Sequence, residues 1–435
     1  MKKLCGMPGK KSRKIIAEDR KFISPCVTRG YEFVYKKAKG CYVWDADGRK
    51  FLDFCAGVAV MNTGHTNPWV VEAVKKQLND GLHCGFTDFF AEVPLNFAKK
   101  VISFLPESLN QAFLSNSGTE SIEAAYKLVR WHMNKKWVIA FKPSFHGRTM
   151  GSLSLTNAKP VQRERFEPFL PVKHTPYPYC YRCAFGKSYG DCSFECLHAV
   201  EKTIKSCKGD LAAIFVEPVA GEPGYVVPPY EFHKGLRKLC NDYNILLCAD
   251  EIQSGCFRTG TFLALENFGV VPDVVSMSKA VGGGLPIGVT VANRKIQDWV
   301  PGVHANTFGG NLVACAAGIA NLDYMKKYKL GENAKKIGSH MMRRLEDMKD
   351  DYECIGDVRG IGLMIGVEIV KDKKSRENDA NRRSSMVCTA LKEGLILLPC
   401  GTSSIRFAPP LIITKEEADK GLDIFENSLK EATSP

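Results

Sequence analysis

Short apolar runs alternate with amphipathic stretches through the middle of the chain, and this alternation constrains the fold more than any other feature. Runs of strand length occur at Gln111–Ser115, Trp137–Phe141, Leu211–Val216, Ile245–Ala249, Val274–Ser276 and Ile287–Ala292. Helical spacing of apolar residues lies between them, over 119–134, 193–207, 230–242 and 310–326. Strands separated by helices predict an α/β domain with a mostly parallel sheet, because parallel neighbours need a crossover between them. Upstream, the spacing predicts helices over 68–80 and 91–104, and the turn signal Asp45-Ala46-Asp47-Gly48 predicts a hairpin. Residues 1 to about 30 read as an arm. Beyond Lys327 the texture changes. Helical patterns at 332–350, 383–393 and 415–431 accompany a glycine-bearing strand pair at Val358–Val370, and Lys371–Arg383 reads as a solvated loop. The expected organisation is an arm and hairpin over 1–65 that join a small domain, a large domain over 66–325, and a smaller α+β domain over 326–435.

Composition narrows the function classes. At 45% apolar and 25% charged residues, the chain has ordinary globular usage. No apolar run reaches the roughly eighteen residues of a spanning helix, so no membrane partner is expected. The formal charge of +13 is spread among interleaved acids rather than gathered into a basic stripe. That favours acidic small molecules over nucleic acid as partners. Cysteines such as Cys248, Cys315 and Cys388 lie singly in apolar surroundings, a usage that suits a reducing cytoplasm. The basic N-terminus lacks the apolar core of a secretory signal.

The chemistry-bearing residues follow the predicted strands. One strand ends in Asp250-Glu251-Ile252-Gln253, and the next apolar run ends in Ser276-Met277-Ser278-Lys279 before Gly282-Gly283-Gly284. In α/β sheets, ligands bind at the carboxyl ends of strands. An acid and a lysine at neighbouring ends suit a pyridoxal phosphate site, where the amine forms a Schiff base and the acid keeps the pyridine nitrogen protonated. Ser115-Asn116-Ser117-Gly118-Thr119-Glu120 opens a helix and offers backbone N–H groups to a phosphate. Phe145-His146-Gly147-Arg148-Thr149 adds an aromatic face and a cation.

With these motifs the chain resembles the class III pyridoxal-phosphate aminotransferases over roughly residues 25–430. The resemblance also includes Asn62-Thr-Gly-His, Glu217-Pro-Val-Ala-Gly-Glu, Thr307-Phe-Gly-Gly-Asn and Ile405-Arg-Phe. It implies the fold type I, aspartate aminotransferase-like architecture, with a large cofactor-binding domain and a smaller one. It also implies roles. Lys279 would carry the cofactor and shuttle the proton, while Asp250 would pair with the pyridine nitrogen and Gln253 would contact the phenolic oxygen. Phe145 and Ile252 would cover the two ring faces, and Gly118 and Thr119 would hold the phosphate. Glu217 would support the site. Thr307 would reach the phosphate bound by a neighbouring subunit, implying a homodimer with shared active sites.

The substrates implied are an amino donor and a 2-oxo acid, most simply a 4-aminobutyrate-like ω-amino acid and 2-oxoglutarate, giving a semialdehyde and glutamate. Val58 would line the pocket. Arg148 would bind the distal carboxylate and Arg406 the α-carboxylate, with Glu222 neutralising Arg406 for donors that lack one. Ala220 and Pro223-Gly224 depart from the Gln and the glycine pair that the family often has there. Ornithine or N-acetylornithine is an alternative donor, and a racemase or epimerase on the same fold an alternative activity. A loop with Cys180, Cys183, Cys192 and Cys196 has a spacing that permits zinc or an iron–sulfur cluster, but no histidine stands at a recognised finger distance. It reads as a surface loop of thiols, and no metal is expected.

Overall fold

The computed structural model describes residues 5–433. They form two compact units, one from the segments up to Asn67 and from Asn333, the other over Pro68–Glu332.

The N-terminal segment departs from the expected arm by forming a helix, α1 (Lys10–Phe22). Its local signals are weak, since Gly9 supplies no side-chain cap. The Asp47 carboxylate supplies one instead, accepting the N–H groups of Gly9, Lys11 and Ser12 at 3.0–3.2 Å. A cap 35 to 38 residues away leaves no local trace in the sequence. Strands β1 (Tyr35–Lys39), β2 (Tyr42–Asp45) and β3 (Lys50–Asp53) follow as an antiparallel meander, the predicted hairpin being β2–β3. A single turn, α2 (Ala56–Ala59), is wound left-handed, with φ between +46° and +66° at all four residues.

The second unit holds the predicted alternation. In chain order it contains α3 (Pro68–Asp80), α4 (Glu92–Ile102), β4 (Gln111–Ser115), α5 (Gly118–Met133), β5 (Trp137–Lys142), α6 (Met150–Leu155) and β6 (Val172–Pro176). Then come α7 (Glu195–Ser206), β7 (Leu211–Val216), α8 (Tyr230–Asp242), β8 (Leu246–Asp250), β9 (Val274–Met277), β10 (Gly288–Ala292) and α9 (Leu312–Lys327). The seven strands make one sheet in the order β4-β10-β9-β8-β7-β5-β6. Only β10 runs against its neighbours. Every residue of β7 is buried, as a central parallel strand covered on both faces requires. Strand β6 was not expected from the sequence. Its Lys173, His174 and Pro176 interrupt any apolar pattern, which an edge position tolerates. Ile122, Leu128, Val129, Val138, Phe215 and Cys248 belong to the core cluster where α5 packs on this sheet.

The remainder of the first unit comprises α10 (Leu330–Asp351), β11 (Ile355–Ile361), β12 (Met364–Ile369), α11 (Ala380–Lys392), β13 (Leu395–Ile396), β14 (Leu398–Cys400), β15 (Ser404–Phe407) and α12 (Lys415–Thr433). The predicted strand pair is the β11–β12 hairpin, within a sheet ordered β11-β12-β15-β14. Strand β13 instead pairs in parallel with β3, tying chain start to chain end within this unit. Cys388, read as a lone core residue, forms a disulfide with Cys5 across 383 residues, a separation at which spacing carries no signal. Among the described residues no helix is long and apolar enough to cross a membrane.

Candidate active site

Sheet register brings the predicted residues of the second unit to one edge. Strands β4, β5, β6, β7, β8 and β9 all end there, because each runs opposite to β10 or parallel to a strand that does. Gly118 and Thr119 follow β4, Phe145 follows β5, Glu217 follows β7, Asp250 ends β8 and Lys279 follows β9. Asp250 is in register with Ser276, so Lys279 stands three residues past its partner on the adjacent strand.

Asp250 is 5% exposed and both its oxygens are held. Oδ1 accepts the Ile252 N–H at 3.1 Å, and Oδ2 pairs with Nδ1 of His146 at 2.7 Å. Two donors leave lone pairs on each oxygen for a further partner. Lys279 is half-buried and takes a left-handed conformation, φ +47°, where the chain turns away from β9. A non-glycine residue held there marks a strained turn at a strand end.

At the opening of α5, the Ser117 hydroxyl accepts the Glu120 N–H at 3.3 Å. The N–H groups of Gly118 and Thr119 belong to the first turn, which has no intrahelical acceptors. Gly118 packs on Ile252, where a Cβ would come within 2.9 Å of that side chain. Gly147 is tighter: at φ +135°, a Cβ would sit 2.3 Å from the Thr119 hydroxyl. That hydroxyl bonds Ser152 at 2.6 Å and Thr149 at 2.9 Å, joining the 145–152 segment to the helix start.

Glu217 is buried, its carboxyl accepting the N–H of Phe145 at 2.8 Å and of Gly221 at 3.0 Å. Burial pushes it up to about 7 against the lowering influence of His146. Burial likewise pushes Glu251 up to about 7; its oxygens accept from the Ser254 hydroxyl and the Leu265 N–H. Gln253 accepts the Tyr225 hydroxyl at 2.9 Å through Oε1, which leaves its amide N–H groups as donors.

The substrate-side residues are less concentrated. Arg148 is exposed, its guanidinium 5.9 Å from the Phe145 ring centre. Glu222 forms an ion pair with Lys159, a partner that sequence reading did not anticipate. Thr307 is exposed beside Phe308, itself 60% exposed. Val58 and Arg406 belong to the other unit. Val58 sits half-buried in the left-handed turn α2, and Arg406 is buried on β15, donating to the Pro399 carbonyl at 3.3 Å. Cys180, Cys183, Cys192 and Cys196 are half-buried and line one small cavity with Tyr177 and Phe194. Among the described residues no group of three or more His, Cys, Asp or Glu is arranged to hold a metal.

The family model for class III aminotransferases matches residues 26–429. The chain belongs to the class III aminotransferase family. An acetylornithine aminotransferase of Methanopyrus kandleri is 40% identical over 90% of this chain and 93% of its own length. A leucine/methionine racemase of Thermococcus litoralis is 38% identical over 90% and 89%. A probable 4-aminobutyrate aminotransferase of Bacillus subtilis is 34% identical over 94% and 95%. Among solved structures, the ω-transaminase of Pseudomonas jessenii in complex with PMP superposes with a TM-score of 0.91 at 27% identity, covering 96% of this chain and 98% of that one. A PLP-bound amine transaminase from an uncultivated Pseudomonas species does so at 0.89 and 27%, covering 95% and 99%.

Class III aminotransferases are pyridoxal phosphate enzymes, and the residues here suit that group. The buried acid, the strained lysine just past the adjacent strand and the first turn of α5 match its pyridine nitrogen, aldehyde and phosphate in chemistry. The residues that sequence reading missed are His146, Tyr225 and Lys159. His146 stood inside a motif already singled out, but its direction was not legible from spacing.

Proposed function

We propose that this class III aminotransferase moves an amino group from a 4-aminobutyrate-like ω-amino acid to 2-oxoglutarate, giving a semialdehyde and glutamate. The observation that carries the amine chemistry is the pairing of a doubly held, buried Asp250 with Lys279 at adjacent strand ends. Pyridoxal phosphate, when bound, supplies an aldehyde that takes up the amino group and a ring that accepts electron density from the amino-bearing carbon. Lys279 moves the proton at that carbon, a task worth about 10²–10⁴-fold for a positioned base. Asp250 holds the proton on the pyridine nitrogen. Gly118 and Thr119 bind the phosphate through backbone N–H groups, and a Gln253 N–H binds the phenolic oxygen. Phe145 and Ile252 cover the ring faces and exclude water.

Substrate assignment rests on the family resemblance. Arg148 takes the distal carboxylate, Arg406 the α-carboxylate, and Glu222 answers Arg406 when the donor lacks one, with Val58 lining the pocket. The protein works as a homodimer whose Thr307 serves the partner's phosphate. Exposed Phe89, Phe90, Leu95 and Phe308 support this, as large apolar side chains left open to solvent in the single chain.

A second reading has its own support: the 38% identical racemase, whose identity lies within two points of the 40% identical aminotransferase. The test is a donor panel. 4-Aminobutyrate, ornithine, N-acetylornithine and leucine are each incubated with 2-oxoglutarate, and glutamate and optical rotation are followed. Glutamate formed fastest from 4-aminobutyrate supports the proposal. Glutamate formed faster from ornithine or N-acetylornithine moves the donor, and loss of leucine rotation without glutamate makes the protein a racemase.

A further inference from the structure

Thr307 lies between β10 and α9, within residues 300–310, which form neither helix nor strand. An exposed side chain on such a segment is placed only as well as its neighbours are locked. Asn306, the residue before it, carries the lock. Its Nδ2 donates to the Leu114 carbonyl at 3.1 Å, and its Oδ1 accepts the Asn116 side-chain N–H at 3.2 Å. Its own carbonyl accepts the Thr87 hydroxyl at 2.9 Å. Gly309 closes on the same group, for a Cβ there would come within 2.3 Å of Asn306 Oδ1 and 2.4 Å of the Leu114 carbonyl oxygen. The segment is thus bolted to the junction of β4 and α5.

We propose that Asn306 is a positioning residue, fixing its loop so that Thr307 meets the phosphate bound by the partner subunit. The inference rests on the homodimer reading and adds to it a residue to which the family resemblance gives no role. Asparagine suits the task, because one short side chain offers an acceptor and two donors. Its amide cannot turn over here. The flipped group would set oxygen against the Leu114 carbonyl and N–H against the Asn116 N–H, losing both bonds.

The rest of the segment is held from the same side. Lys127 on α5 donates to the Val303 carbonyl at 2.9 Å and to His304 Nδ1 at 3.0 Å, and the His304 ring stacks on Trp299 with centres 5.5 Å apart. Those contacts steady residues 303 and 304, while Asn306 is the anchor next to Thr307. The phosphate turn of the same chain keeps bonds of its own. Glu120 accepts the Asn116 backbone N–H at 2.7 Å and its side-chain N–H at 2.9 Å, and Ser117 caps α5. Removing the Asn306 amide therefore loosens the loop that serves the partner, and the loss appears at the partner's site.

The experiment uses hybrid dimers of two differently tagged full-length chains, one of them carrying Lys279→Ala. Only one site per dimer then gives the lysine-bound absorbance. Asn306→Ala is placed either on the chain that lacks Lys279 or on the chain that keeps it, and each apo hybrid is titrated with pyridoxal phosphate. The expected result is binding about 10-fold weaker when Asn306→Ala lies on the chain that lacks Lys279, and unchanged affinity when it lies on the chain that keeps it. Equal weakening in both arrangements, weakening only in the second, or none in either would overturn the proposal. Asn306→Asp, which keeps the size but loses the donor to Leu114, is run in parallel and decides the question if Asn306→Ala does not fold. Thr307→Ala in the same two arrangements separates the two levels of inference. If it weakens the partner's site while the Asn306 variants do not, the positioning role alone fails. If it leaves the partner's site unchanged, the shared-site reading fails and the proposal with it.

Discussion

Lys279 and Glu251 give the sharpest tests at the scale of single residues. Lys279→Ala removes the base and the point of attachment. Turnover falls by about 10³-fold or more, while circular dichroism and the melting curve of the apoprotein stay near wild type. Borohydride then fixes no cofactor to the chain. Glu251 links stability to pH. Its folded value, about 7, lies above the ordinary 4.5, so the folded state holds the proton more tightly. Its contribution is complete below pH 4.5, declines as pH rises toward 7, and is level above that. Wild type therefore loses about 3 kcal/mol relative to Glu251→Gln across that window. Urea unfolding of the apoprotein at half-unit pH steps measures the difference, and parallel curves would count against the burial argument. At this scale much was legible. Asp250, Lys279, Gly118 and Phe145 could be placed because each follows a strand whose apolar run is visible. His146 and Tyr225 could not, because their roles depend on side-chain direction after a turn.

Secondary-structure elements were legible where burial decides them. Strand β7 and helix α8 match the predicted bounds residue for residue, since a fully apolar strand and a one-faced helix leave little ambiguity. Edge and capping effects were not. Strand β6 reads as polar because an edge permits it, and α1 depends on Asp47 from the β2–β3 turn. Two predictions belong here. Asp47→Ala leaves the amides at Lys11 and Ser12 without acceptors, so hydrogen exchange accelerates over 10–22 while the β4–β10 sheet is unaffected. Gly147→Ala forces a Cβ against Thr119 and Ser152 in a conformation that L residues avoid. It destabilises by about 1–3 kcal/mol, read as a lower urea midpoint, and weakens cofactor binding by displacing the start of α5.

For the whole molecule, alternation in the sequence was enough for the α/β class, but not for the β3–β13 pairing or the Cys5–Cys388 bridge, which join distant parts of the chain. The proposed dimer has a direct check. Phe90 is fully exposed, so Phe90→Glu should not disturb the folded chain but should shift sedimentation from dimer to monomer and reduce turnover with it. Unchanged sedimentation would remove Phe90 from the interface. Amino transfer itself is read in a single turnover. Cofactor-loaded protein receives excess 4-aminobutyrate with no oxo acid present. Amino transfer predicts one equivalent of semialdehyde per site and loss of the lysine-bound absorbance, restored when 2-oxoglutarate is added. It is contradicted if neither 4-aminobutyrate nor any other amino donor discharges that absorbance, while α-amino acids exchange their α-hydrogen with solvent and lose optical rotation.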